Sequence, residues 1–271
     1  MDLSGKKILV GELIDALDGN VIISHRIEGA DIYSMVDELT DNIHKGLDIS
    51  KHSNDDIELK AGTKTSQSLD AYEKYLEGLN YLSELDFESA HNNFQDAVKI
   101  DSTFFDAHYL SAIAMWWMDE SETNQVASEY CKQLIDNKIY KDEIQKLEAE
   151  GASYIISGNY KEALPIYEKI IKLKPDDKTG WYMYGEANYH IEKGNDDEEA
   201  DKYWDAADKA FNKALDLDPN FGVARTHIIN MLLFAQNFSE VIKQEIEEIK
   251  RHPKNNEAYA NLITVYELLE D

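Results

Sequence analysis

The sequence predicts a mainly α-helical solenoid of antiparallel helix pairs, preceded by a short β-hairpin and one helix. Three observations carry this. Residues recur at a period of 34 when the chain from Ala71 onward is laid against itself. Prolines at 175, 219 and 253 punctuate that period. The first 47 residues instead contain two β-favouring runs joined at Asp18-Gly19.

The N-terminal stretch KKILVGELIDALDGNVIISHRI reads as a hairpin, because Asp-Gly supplies the two positive φ angles of a type I′ turn. Asp31 is placed to cap a helix whose apolar residues Ile32, Met35, Val36, Leu39 and Ile43 recur at three and four, with Gly46 near its end. Residues 1–47 form this hairpin and helix, and the polar stretch 48–67 is a linker.

The repeat then begins. Gly78, Tyr81, Ala90, Phe94 and Ala97 fall at positions 8, 11, 20, 24 and 27 of a unit starting at Ala71. In the unit starting at Ile144 the same places hold Gly151, Tyr154, Ala163, Tyr167 and, as the stop, Pro175. A later unit has Trp181, Gly185, Ala207, Phe211, Ala214 and Pro219, and the next has Val241 and Pro253. Small residues let paired helices approach closely, and aromatic residues fill the space between them. Each proline lacks an amide donor and disfavours helix in the residue before it, which ends the second helix of a pair. One pair cannot bury both its faces, so neighbouring pairs must stack.

Over residues 68–271 these positions resemble the tetratricopeptide repeat (TPR) family. The resemblance implies a right-handed superhelix with units at about 71–104, 105–140, 144–177, 178–221 and 222–255, and a single helix at 256–271. Two units depart from the pattern. The second lacks a proline and leaves its alanine place divided between Val126 and Ala127. The fourth has extra residues between Tyr189 and Ala207, read as a loop at 194–197 followed by a lengthened helix. Pro165 lies early in a helix and is expected to kink it modestly. The last helix would leave Leu262, Val265, Leu268 and Leu269 without a partner helix. Either the chain is cut there or another chain covers that face; the first reading is preferred.

The segment ELIDALDGNVIISHRIEGADIYSMVDELTDNIHKGL resembles the closing part of the TolB amino-terminal-like α/β domain. In bacterial proteins that domain often precedes TPR arrays and follows a cyclase, a kinase or a winged-helix regulator. The family domain has further strands and helices upstream, so the resemblance implies that Met1 begins a truncated chain. Two strands and one helix are marginal alone, and an open hairpin edge seeks a substitute partner. A homodimer through strand pairing at the hairpin is expected.

Composition narrows the function. Twenty-seven basic residues against 54 acidic ones give a formal charge of −27, with −6 before residue 66 and −21 after it. That field disfavours nucleic acid and anionic lipid surfaces, and it keeps the protein soluble. No run of residues reaches the length of a membrane span. The start of the chain does not read as a signal peptide, since Glu12 and Asp15 interrupt the apolar stretch. The expected location is cytoplasmic, with the periplasm open if Met1 is not the natural start. Cys131 is the only cysteine, and neither it nor the eight histidines have the spacing of a zinc site. His108, His190 and His227 read as groove or surface residues, not ligands. The acidic run Asp196 to Glu199 lacks the alternation of a calcium loop and reads as a favourably charged helix start. Phosphate-binding loops, nucleophile elbows and HExxH helices are absent. The sequence therefore predicts neither catalysis nor a cofactor or metal.

What remains is the concave groove, which in TPR arrays is formed by the first helix of each pair. Matching positions here are Tyr72, Tyr75 and Leu79; Tyr109, Ile113, Trp116 and Trp117; Tyr182, Glu186 and Tyr189; and Thr226, His227, Asn230 and Phe234. Adjacent residues on a helix point about 100° apart, so at most one of Trp116 and Trp117 enters the core fully. Family members that capture C-terminal carboxylates use a Lys, Asn and Arg clamp. This chain offers tyrosines, Leu79 and Ile113 at those places. The expected function is thus a non-enzymatic scaffold for a protein or peptide with apolar anchors and basic flanks. The alternative is a regulatory or sensory module of a larger bacterial signalling protein, whose α/β part senses a ligand and whose repeats relay or oligomerise.

Overall fold

A computed structural model describes residues 7–14, 20–46, 66, 68–118, 121–191, 197–251, 253 and 255–270. The chain divides into two compact units, residues 1–72 and 73–271.

In the first unit β1 (Lys7–Ile14) and β2 (Val21–Gly29) pair antiparallel, with Lys7 opposite Gly29 and a register shift between Leu13 and Ile14. The Asp18-Gly19 turn and most of the 48–67 linker lie outside the described residues. Helix α1 (Ile32–Gly46) follows Asp31, whose carboxylate accepts the Ser34 amide at 3.0 Å. The helix covers one face of the hairpin. Ile27 and Met35 are buried there, and a Cβ at Gly11 would stand 2.6 Å from Leu39, so a larger residue would push the helix away. The opposite face keeps Ile8, Val10 and Ile22 more than half exposed.

The second unit is a succession of antiparallel helix pairs, the arrangement the 34-residue period predicts. They are α2 (Leu69–Ser83) with α3 (Phe87–Ile100), α4 (Phe105–Trp117) with α5 (Ser121–Asp136), α6 (Glu143–Ile156) with α7 (Tyr160–Leu173), α8 (Lys178–His190) with α9 (Asp197–Leu217), and α10 (Gly222–Phe234) with α11 (Phe238–Arg251). Helix α12 (Asn256–Glu270) ends the described chain. Helix α9 has 21 residues, the lengthened helix that the insertion calls for. The loop expected before it lies, up to residue 196, outside the described residues. Helix α7 runs through Pro165 without interruption.

The period has a direct packing cause. A Cβ at Gly78 would lie 2.5 Å from the Phe94 ring, at Gly151 2.8 Å from Tyr167, and at Gly185 2.6 Å from Phe211. In these three pairs the glycine of the first helix thus seats the aromatic ring of its own second helix. Phe94, Tyr167 and Phe211 are fully buried, as are Ala90, Ala163 and Ala207. In the second pair Ala127 is buried while Val126 is 59% exposed, which settles the repeat register there. Tyr81, expected between helices, stays 38% exposed on α2, the first helix of the array.

Four helix ends share one device. Leu85, Gly158 and Gln236 adopt positive φ between the helices of three pairs. There the next amide donates back five residues, as from Asp86 to Tyr81 at 3.0 Å, Asn159 to Tyr154 at 2.8 Å and Asn237 to Leu232 at 2.9 Å. Lys138 does the same after α5, where no proline is present, and Ile139 donates to Leu134 at 2.8 Å.

Candidate functional site

First helices of successive pairs pack along one side of the array, α4 against α6 and α6 against α8. Their surface surrounds a cleft of about 990 Å³ lined by Trp117 of α4, Tyr182 of α8, and Val223, Thr226 and His227 of α10. Its remaining wall comes from the turn Ser83–Phe87 and from Arg251, Pro253, Asn255 and Asn256 near the other end of the array. The two ends therefore meet across the hollow. Leu85 of the first pair reaches Gly222 of the fifth, with its Cδ2 3.1 Å from where a Cβ would stand.

An aromatic ladder forms the floor. Phe87 lies 5.4 Å from Trp117 between ring centroids, Trp117 lies 5.8 Å from Tyr182 edge to face, and Tyr182 lies 5.5 Å from Phe221. The Trp117 Nε1 donor is buried beside the Tyr182 side chain. Glu84 and Asp86 give one rim negative charge, and Arg251 gives the other positive charge.

Of the groove residues read from the sequence, the fold brings Trp117, Tyr182, Thr226 and His227 to this cleft. Others go elsewhere. Tyr109 and Ile113 are 6% and 0% exposed, packed in the core between helix pairs. Tyr75 and Leu79 pack on the Ala90 and Phe94 cluster, with Tyr75 4.9 Å from the Phe104 ring. Tyr72, half-buried in the first turn of α2, does not line the cleft. Trp116 is half-buried beside Trp117 at 6.4 Å. Asn230 is exposed, and Phe234, 78% exposed, rests on Trp204 at 5.3 Å. Arg251, Asn255, Asn256 and the Leu85 turn were not among the expected residues. They reach the cleft only because the array curls, and no residue pattern reports curl.

Glu186, Tyr189 and His227 cluster beside the cleft with His190. Glu186 is 1% exposed; its Oε1 lies 2.5 Å from His227 Nε2, and its Oε2 lies 3.4 Å from His190 Nε2. Burial alone raises the Glu186 pKa, but the adjoining His227 and His190 outweigh it and bring the carboxyl down to about 2. Tyr189 stands edge-on to both imidazoles, at 4.8 Å and 5.2 Å. Glu186 and His190 share a helix face at i and i+4, and His227 comes from the next first helix. The scattered histidines of the sequence thus include a pair that folding assembles around one carboxylate.

Cys131 is fully buried, and burial pushes its thiol up to about 12, which leaves it unreactive.

Paired antiparallel helices with glycine seated on aromatic rings define a helical-repeat fold of tetratricopeptide-like arrangement. Residues 149–220 match the tetratricopeptide repeat family model. Among solved structures, a thermophilic TPR protein in Thermus thermophilus is 15% identical, covers 72% of this chain and 98% of its own, and superposes with a TM-score of 0.51, a likeness of fold. A tetratricopeptide repeat protein from Parabacteroides merdae is 15% identical over 75% of each chain with a TM-score of 0.40. MamA from Desulfovibrio magneticus is 17% identical, covering 75% of this chain and 99% of its own, with a TM-score of 0.34. No curated protein matches the chain in sequence. Among the described residues no helix is long and apolar enough to cross a membrane.

Proposed function

We infer that this protein is a non-enzymatic interaction scaffold that holds a segment of a partner protein in the cleft between its first helices. The observation that carries the reading is the cleft itself: about 990 Å³, floored by Trp117 and Tyr182 and rimmed by charge. Aromatic rings in a concave, partly dry setting are what an apolar anchor residue requires. Lys or Arg flanking that anchor would meet Glu84 and Asp86.

The test is a selection of short random peptides on the full chain, followed by titration of the selected peptides with tryptophan fluorescence as readout. Thr226→Arg fills the cleft from the half-buried face of α10. It should weaken the selected peptides at least tenfold while the thermal midpoint stays put. Undiminished binding to that variant would remove the cleft from the reading.

A second reading concerns the first unit, where strand–strand–helix order fits the closing part of a TolB amino-terminal-like domain within a larger signalling protein. It is favoured by the two-stranded sheet, in which, among the described residues, each strand has one edge without a strand neighbour. Those edges pair with a second copy of the chain or with further strands of the same domain. Sedimentation at micromolar concentration distinguishes them, since a monomer refutes the dimer.

A further inference from the structure

The geometry points to a binding site for a divalent transition-metal ion, of the zinc class, formed by Glu186, His190 and His227. It stands whether or not a peptide occupies the cleft. The three ligand atoms, one carboxylate oxygen and two imidazole Nε2 atoms, all lie within 4.8 Å of one another. Zinc bound at about 2.0–2.2 Å by such groups in a tetrahedron holds its ligand atoms about 3.3 Å apart. Glu186 Oε1 stands 2.5 Å from His227 Nε2 and Oε2 stands 3.4 Å from His190 Nε2, and with every pair of the three ligand atoms within 4.8 Å side-chain rotation can bring them to that spacing.

Further features belong to a metal centre. His227 Nδ1 lies 3.0 Å from the Val223 carbonyl, which accepts its proton and leaves Nε2 as the ring nitrogen that faces the carboxylate. Two lone-pair-bearing atoms 2.5 Å apart repel unless a cation or a second proton lies between them. The imidazoles are held in place by rings: Tyr160 stacks on His190 at 5.0 Å, and Phe211 lies 4.8 Å from His227. Two nitrogens and one oxygen suit a borderline ion such as zinc better than calcium or magnesium, which prefer oxygen throughout. Three protein ligands leave a fourth coordination position, and His227 also lines the cleft. The fourth ligand is therefore water or a group delivered through the cleft.

The experiment uses the full chain, stripped by chelator and titrated with zinc by calorimetry and with cobalt by visible absorption. One equivalent should bind at micromolar concentrations or below, and cobalt should show the intense bands of a low-coordinate site. His190→Ala should weaken zinc at least tenfold without changing the helical circular dichroism, because the His190 side chain is 39% exposed and its loss opens no core. Glu186→Gln should do the same, and His25→Ala, in the other unit, should bind like the parent chain. If zinc fails to bind in one-to-one proportion, or binds His190→Ala as tightly as the parent, the cluster is a structural ion pair and the metal site is refuted.

Discussion

The two units treat their apolar residues in opposite ways. In the repeat array Phe94, Tyr167 and Phe211 are fully buried, each seated on a glycine of the neighbouring helix. In the hairpin unit one helix covers one sheet face, and Ile8, Val10 and Ile22 remain 53–55% exposed on the other. A helix pair in a stack finds cover from copies of itself, whereas a two-stranded sheet with one helix has cover for one side only. Stability of the array is therefore spread over repeated contacts, and that of the hairpin rests on α1.

That contrast predicts unequal costs for truncation. Phe211→Ala should destabilise the array by about 3–5 kcal/mol and lower the thermal midpoint, followed by helical circular dichroism, by about 10 °C. Val10→Thr, on the bare sheet face, should change stability by less than about 0.5 kcal/mol. Equal losses from the two would mean that the exposed face is covered in solution and would break the comparison.

A smaller effect is expected from acid groups buried within the array. Burial raises Asp106 to about 6, against the opposing pull of Lys174, Lys141 and the Gln145 amide. Burial likewise raises Glu148 to about 7 although Lys174 stands 3.4 Å away. Both folded values exceed the unfolded ones of 3.8 and 4.5. The folded state therefore holds protons that the unfolded chain releases, and stability falls as pH rises from about 4 through about 7. The pair should contribute on the order of 1–3 kcal/mol between pH 5 and pH 8. Denaturant melts of the parent chain and of Asp106→Asn/Glu148→Gln test this: the double variant should lose most of that slope, and an unchanged slope would assign it to other groups.

The smallest effect sharpens the role of helix ends. Lys138 is exposed with φ of 56°, a conformation glycine adopts freely. Lys138→Gly should raise stability by about 0.5–1 kcal/mol, seen as a midpoint higher by about 2 °C. A decrease would show that the lysine side chain contributes more than its backbone geometry costs.

Much of the fold is legible in the residues because the repeat is a packing rule written in side-chain size. Gly185 and Phe211, 26 positions apart, must fit into one another, and so must Gly151 and Tyr167; the 34-residue period records that need. Ala127 against Val126 was ambiguous because both suit a helix interior, and only the side each faces decides. The cleft was half legible. Trp117, Tyr182 and His227 follow from register, but Tyr109 and Ile113 follow the same register into the core. How deep a first-helix residue lies depends on how tightly neighbouring pairs close, and that is set by contacts among many residues together. The Glu186, His190 and His227 cluster was hidden for a similar reason: its two halves are 37 positions apart and meet only through stacking of α8 and α10.

Leu85 touching Gly222 has a consequence for how this array could change over evolutionary time. An open spiral gains or loses a module at little expense, since its tips are independent. Here the first turn abuts the fifth pair, so inserting or deleting one 34-residue module would pull that contact apart and remove a wall of the chamber. The module count is thereby tied to the chamber's outline, and drift should run through side chains lining it before it runs through duplication.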